Sequence, residues 1–203
     1  SCLNSKRYHS STRFFKSGGR MISFGIETAS DEGLKILRKA STMKQNIEAL
    51  RLCRKHGIIT IADFIIGLPH EKTYDDVLNS IKTLSYDYRP DYAQFSILSL
   101  YPNTQIFDQA VEKGLIDKDK WSKWAMDPLK TPLIVDHWDE HLTLQQLVEL
   151  QKKAYRIFYF RLSNIWSQVK RIRSFHQIKV KTIAMLQVMG IDWGIFKFNS
   201  KVC

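Results

Sequence analysis

Three short stretches of this 203-residue chain carry side chains suited to gripping a small polar ligand. The first is Gly25-Ile26-Glu27-Thr28-Ala29-Ser30, at the end of an apolar run. Gly25 lets the backbone approach a ligand closely. Glu27 can accept hydrogen bonds from a sugar diol, with Thr28 and Ser30 as further polar contacts. It reads equally as a solvent-facing carboxylate in a helix-capping turn. The second stretch runs from Asp63 to Glu71. Ile65 offers a flat apolar surface to a ring, and Gly67 again permits close approach. Asp63 interrupts an apolar run, so it either faces a lumen or pairs with another group. His70 beside Glu71 has the residue types for acid–base chemistry, but sequence neighbours are not spatial partners, and a surface turn accounts for both. The third stretch offers Ser96 and the loop Tyr101-Pro102-Asn103-Thr104.

Regular elements must position these residues. Met21–Glu27, Ile58–Ile66 and Ala93–Leu100 are apolar, β-branched or aromatic runs bounded by turn residues, and they predict three strands. Between them lie helical patterns. Ser30 or Asp31 caps a short helix with Leu34, Ile36 and Leu37. Ser41 or Thr42 caps a second, stopped by Gly57, and Thr73 caps a third with Val77, Leu78, Ile81 and Leu84. A helix with Ile106, Phe107, Ala110 and Val111 follows the last strand and ends at Gly114. Alternation of this kind predicts βα units with a parallel sheet, and ligands in such sheets meet the chain at the strand ends. Three strands leave apolar edges open, so the sheet reads as part of something larger. Residues 115–141 read as irregular. One long amphipathic helix is expected from Thr143 through Leu147, Phe158, Leu162 and Ile165 to Val169.

Composition narrows the function classes. The hydrophobic content of 44% excludes disorder and low complexity. The cysteines at positions 2, 53 and 203 are too few for a disulfide scaffold and too scattered for a metal or cluster site. No apolar run reaches the length of a membrane span, and a reducing, cytoplasmic setting is expected. The net charge of +11 is uneven. Residues 1–20 hold five basic residues and no acid, residues 21–150 hold 15 basic against 19 acidic, and residues 151–203 hold 11 basic against Asp192 alone. The basic end suits a solvated helix face, an acidic partner or a membrane surface. No nucleic-acid motif, P-loop, dinucleotide fingerprint, zinc-protease helix or nucleophile elbow is present.

Three runs together resemble a known family. Phe24–Ser30 (FGIETAS), Phe64–Pro69 (FIIGLP) and Gln94–Thr104 (QFSILSLYPNT) look like radical S-adenosylmethionine enzymes, closest to the group with an N-terminal cobalamin-binding domain. Arg156–Arg161 (RIFYFR) resembles the helix that follows the barrel there. The resemblance implies an α/β fold in which residues 21–141 form about three parallel βα units, half of a partial TIM-type barrel. An α-helical region at 142–203 follows, and residues 1–20 stay unassigned. It implies an enzyme that binds a [4Fe–4S] cluster and S-adenosylmethionine, with cobalamin as a candidate further cofactor, for radical methylation or rearrangement of a small molecule. By that resemblance Glu27 and Thr28 lie at the ribose hydroxyls. Gly25, Ile65 and Gly67 lie near the adenosine, and Ser96 and Ile97 line the other edge of the adenine. The clustered cysteines of the family are missing, so a fragment inactive alone is expected, completed by a longer parent or by a separate chain carrying the other half-barrel. The competing expectation is a non-catalytic module that binds an acidic partner or membrane surface through its basic end.

Overall fold

The computed structural model describes residues 13–126 and 135–170, with positions 172, 174–176, 178–180 and 182–183 beyond them. Most of the basic leader, the prolines at 128 and 132 and the end of the helical region lie outside the described residues.

The apolar runs form one parallel sheet in the order β1-β2-β3, with β1 at Met21–Glu27, β2 at Ile59–Ile66 and β3 at Tyr92–Ile97. Each strand leads into helices: α1 (Asp31–Ile36) and α2 (Met43–Lys55) after β1, α3 (Tyr74–Thr83) after β2, and α4 (Gln105–Glu112) after β3. The starts are chemically marked. Ser30, Thr42, Thr73 and Thr104 each accept a bond from a first-turn backbone N–H, and Thr42 and Thr73 form reciprocal boxes with Gln45 and Asp76. Gly57 and Gly114 end α2 and α4 at φ +69° and +71°, which glycine adopts without strain.

Four expectations are corrected. The third strand stops at Ile97 rather than Leu100, because Leu100 donates to Asp136 O and Ser99 bridges to His137. The segment after Gly114 contains a helix, α5 (Lys120–Met126). Past Thr83 the helix widens into a five-residue π-helical turn, Leu84–Tyr88, that ends on Arg89 at φ +51°. The long amphipathic helix is two helices, α6 (Leu144–Tyr159) and α7 (Leu162–Lys170). The break has a local cause. Arg161 Nε and Asn164 Nδ2 both donate to Phe158 O, the carbonyl that Leu162 N–H would otherwise take.

One face of the sheet is covered and the other is open. Ala62, Phe64 and Ile66 of β2 and Ala93 and Phe95 of β3 are buried against Leu50, Val77, Ile81, Leu147, Leu150, Ala154 and Phe158 of α2, α3 and α6. The alternate positions Ser23, Gly25, Ile61, Asp63, Ile65, Gln94 and Ser96 are exposed or half-buried. A smaller apolar cluster of Leu68, Leu98, Leu100, Phe107, Ala110 and Trp138, with Ile65 packed against it, caps the C-terminal ends of the strands.

Candidate functional site

The pairing of β1 with β2 slips between Gly25 and Glu27, so that Gly25 lies opposite Asp63 and Glu27 opposite Phe64. Ile26 is the extra residue of this bulge and is buried in the core. The slip matters because strict alternation would place Gly25 and Glu27 at successive outward positions of a flat strand. Here the chain turns back at Glu27 instead. Glu27 adopts φ +63°, and Thr28 N–H bonds to Ile26 O across it at 2.8 Å, a γ-turn of the strained hand. The carboxylate folds over Gly25, where a Cβ would come within 2.6 Å of Glu27 Oε1. Lys39 donates to that same oxygen at 2.9 Å. A strained carboxylate thus hangs over the open face at the ligand-meeting end of the sheet.

On the neighbouring strands Ile65 lies in register with Ser96 on the same open face. One step down, Asp63 lies between Gly25 and Gln94 and accepts from Ser23 Oγ at 2.8 Å. Asp63 is therefore both on the open face and paired. Ile97 faces the other way and packs into the core. Thr28 is fully buried, and the side chains of Thr28 and His70 both crowd Gly33, where a Cβ would approach Thr28 Oγ1 to 2.8 Å and His70 Cε1 to 2.5 Å. The structure thus brings Gly25, Glu27, Ile65 and Ser96 to one surface and sets Thr28 and Ile97 behind it.

Gly67 leaves β2 at φ +80°, with Leu147 filling the space beneath it. Its N–H and that of Leu68 both donate to Glu71 Oε2, at 2.8 and 3.0 Å. This corrects the surface-turn reading of His70 and Glu71. Glu71 is 2% exposed, and burial pushes its carboxyl up from the ordinary value against the pull of the two backbone N–H groups and Ser80. Both His70 nitrogens are buried, and burial holds the imidazole below its ordinary value against the charges of Glu32 and Asp76. Sequence reasoning missed Glu71 as a clamp. The signal was a carboxylate four residues after a strand-ending glycine, a span that fits a turn closing on its own backbone.

Among the described residues no group of three or more His, Cys, Asp or Glu is placed to hold a metal ion. Cys53 lies in the core, 2% exposed. A [4Fe–4S] cluster needs several clustered thiolates, so the residues present do not fit that group. The adenosine part of a ligand is a different matter, since a carboxylate for a diol, an open Gly25 and an apolar-plus-hydroxyl pair at Ile65 and Ser96 suit it. Among the described residues no helix is long and apolar enough to cross a membrane.

The chain is similar to several known proteins. The family model of the Radical SAM superfamily matches residues 11–84, from before β1 to the end of α3. An uncharacterized methyltransferase of Pyrococcus horikoshii is 35% identical over 148 residues, covering 72% of this chain. The anaerobic magnesium-protoporphyrin IX monomethyl ester cyclase of Cereibacter sphaeroides is 29% identical over 158 residues, covering 77% of this chain. The chain spans only 30% and 24% of the lengths of these two relatives. Among solved structures, the radical S-adenosylmethionine methyltransferase TsrM of Kitasatospora setae, with cobalamin and a [4Fe–4S] cluster bound, aligns over 52% of this chain and 21% of its own, at a TM-score of 0.46 and 22% identity.

Proposed function

The chain belongs to the radical SAM superfamily, and from that premise we propose that its sheet is the adenosine-binding half of an enzyme for radical methylation or rearrangement of a small molecule. Glu27 accepts hydrogen bonds from the ribose hydroxyls. Ile65 lies along the adenine, Ser96 offers its hydroxyl at the ring edge, and the backbone at Gly67 closes over it. Gly25 keeps the surface beneath Glu27 free of a side chain. Thr28 and Ile97 support these residues from the buried side. An iron–sulfur cluster held elsewhere in the whole enzyme would supply the electron for radical chemistry on S-adenosylmethionine, while the residues of this chain would hold only its adenosine part. The thiolates for that cluster are not carried by these 203 residues, so we read the chain alone as binding but not cleaving. Cobalamin use and the identity of the substrate belong to the whole enzyme.

The observation that carries this reading is the bulge and positive φ that hold the Glu27 carboxylate over Gly25 on the open face. Equilibrium dialysis of the full chain against S-adenosylmethionine tests it. Saturable binding is expected, weakened about 10- to 100-fold in Glu27→Gln by the loss of charge-assisted bonds worth about 1.5–3 kcal/mol. Glu48→Gln, at an exposed ion pair with Arg51, should bind as the parent does. Equal binding by Glu27→Gln would overturn the assignment. Anaerobic iron and sulfide reconstitution is expected to leave the chain without a cluster, and about four irons per chain with cleavage of S-adenosylmethionine would overturn the inactivity.

A further inference from the structure

The N-terminal ends of the strands, opposite the Glu27 site, carry features that the adenosine-binding reading does not use. Arg54 in the last turn of α2, Arg89 before β3 and Arg161 after α6 converge there. Arg54 Nη2 donates to Tyr88 O at 3.2 Å and Arg89 O at 2.6 Å, Arg89 Nε to Tyr86 O, and Arg161 Nε to Phe158 O. The Arg161 guanidinium sits 5.9 Å from the centre of the exposed Tyr86 ring. Among the described residues no carboxylate forms an ion pair with any of the three. Asp87, on the same turn, is exposed. Burial lowers the proton affinity of Arg161, Tyr86 partly offsets this, and the charges of Arg89 and Arg54 lower it further.

Directly after Arg161, α7 turns an apolar row outward. Leu162, Trp166 and Val169, at i, i+4 and i+7, are 85%, 62% and 50% exposed, and Phe175 beyond them is 91% exposed. Asn164, on the other side of the helix, is buried. The sequence from 151 to 191 adds charge of one sign, with nine basic residues and no acidic one.

We propose that this end of the molecule docks on an anionic phospholipid surface, with Leu162, Trp166, Val169 and Phe175 entering the headgroup boundary and the exposed Arg54 and Arg89 meeting lipid phosphates, while the buried Arg161 adds positive charge behind them. Charge complementarity selects the occupant. An apolar helix row with Leu and Trp, flanked by Lys and Arg, matches an interfacial helix, and guanidinium forks match phosphate oxygens. A nucleic-acid duplex offers phosphates but no apolar layer for Leu162 and Val169. Docking at this end leaves Glu27, Gly67 and the open strand ends facing away from the surface.

Co-sedimentation of the full chain with phosphatidylcholine vesicles, with and without phosphatidylserine, tests the proposal. Retention should be about tenfold or more higher on the phosphatidylserine vesicles and fall as salt is raised. The double variant Leu162→Glu/Val169→Glu should lose that gain, and Arg54→Gln/Arg89→Gln should lose most of it. Leu144→Glu, which adds a charge at another exposed apolar position, should behave as the parent chain. A second arm measures binding to double-stranded RNA. Equal retention on both vesicle types, full retention by either double variant, or binding to RNA with none to lipid would each overturn the proposal.

Discussion

The two edges of the sheet are finished differently. The outer edge of β3 is sealed by side chains of α6 spaced four residues apart. Gln151 Nε2 donates to Phe95 O at 2.7 Å, Tyr155 Oη accepts from Phe95 N–H at 3.3 Å, and Tyr159 Oη accepts from Ala93 N–H at 3.3 Å while donating to Ala93 O at 3.0 Å. The helix replaces a missing neighbour strand group by group, because alternate residues of a strand present their N–H and C=O to the same side. Among the described residues no comparable partner meets the outer edge of β1. On the function proposed above, the β3 edge capped by three polar side chains is where the sheet would end, and the β1 edge, uncapped among the described residues, is where a further half-barrel would join. The Glu27 turn lies on that β1 side.

The contrast is broken most severely by truncating its sealed side. Phe95 is 1% exposed, meets Phe64, Tyr155 and Phe158 edge-to-face, and lies under the bonds from Gln151 and Tyr155. Phe95→Ala should cost about 3–5 kcal/mol. Phe24, on the covered face of β1, is only partly buried, and Phe24→Ala should cost less than half as much. Urea unfolding of the two variants measures the difference, and equal costs would mean that the β1 side is packed as completely as the β3 side.

A smaller effect comes from the exit of the central strand, which both sides share. Glu71→Ala leaves the Gly67 and Leu68 N–H groups without their acceptor, a cost of about 1–3 kcal/mol. Glu71→Gln keeps an acceptor and removes the charge. The sign follows from linkage. The folded-state pKa of Glu71 is raised, so the folded protein holds that proton more tightly than the unfolded chain. Its contribution is fully present below the ordinary value of 4.5 and is lost as pH rises through the folded value. The parent chain should therefore lose stability relative to Glu71→Gln as pH rises above that point, and a constant difference across the range would show the carboxyl to be unperturbed.

What the sequence could show divides along physical lines. Strand runs such as Ile59–Ile66 and caps such as Thr42, Thr73 and Thr143 are local, set by neighbours within four residues, and they are legible in advance. The sidedness of the site is not. Alternation says that Ser96 and Ile97 face opposite ways, yet both sit in one motif of the resemblance, and only the sheet shows Ile97 in the core. The bulge at Ile26 decides where Glu27 points, and one extra residue leaves no mark in an apolar run. The end of α6 depends on Arg161 and Asn164 reaching back to Phe158 O, which no hydrophobic period records. Thr28 and Glu71 look like surface polar residues because the groups that bury them come from other elements.

The smallest effects discriminate the edges most cleanly, because they change little else. Tyr159→Phe removes one hydroxyl and leaves Ala93 N–H and C=O without their partner, at a cost of about 1 kcal/mol. The ring stays, stacked on Tyr155 at 6.2 Å between centroids. Hydrogen exchange should quicken at the Ala93 amide and stay unchanged across β1. At the opposite edge, Met21→Lys places a charge at an exposed position of β1, 50% exposed, where it should alter stability by no more than about 0.5 kcal/mol. If β1 is an unfinished edge, the parent chain should self-associate with concentration in sedimentation, and the lysine should suppress that association as edge charges do elsewhere. Association that survives Met21→Lys but grows in Tyr159→Phe would reverse the assignment, making β3 the exposed edge and the α6 side chains a loose cover.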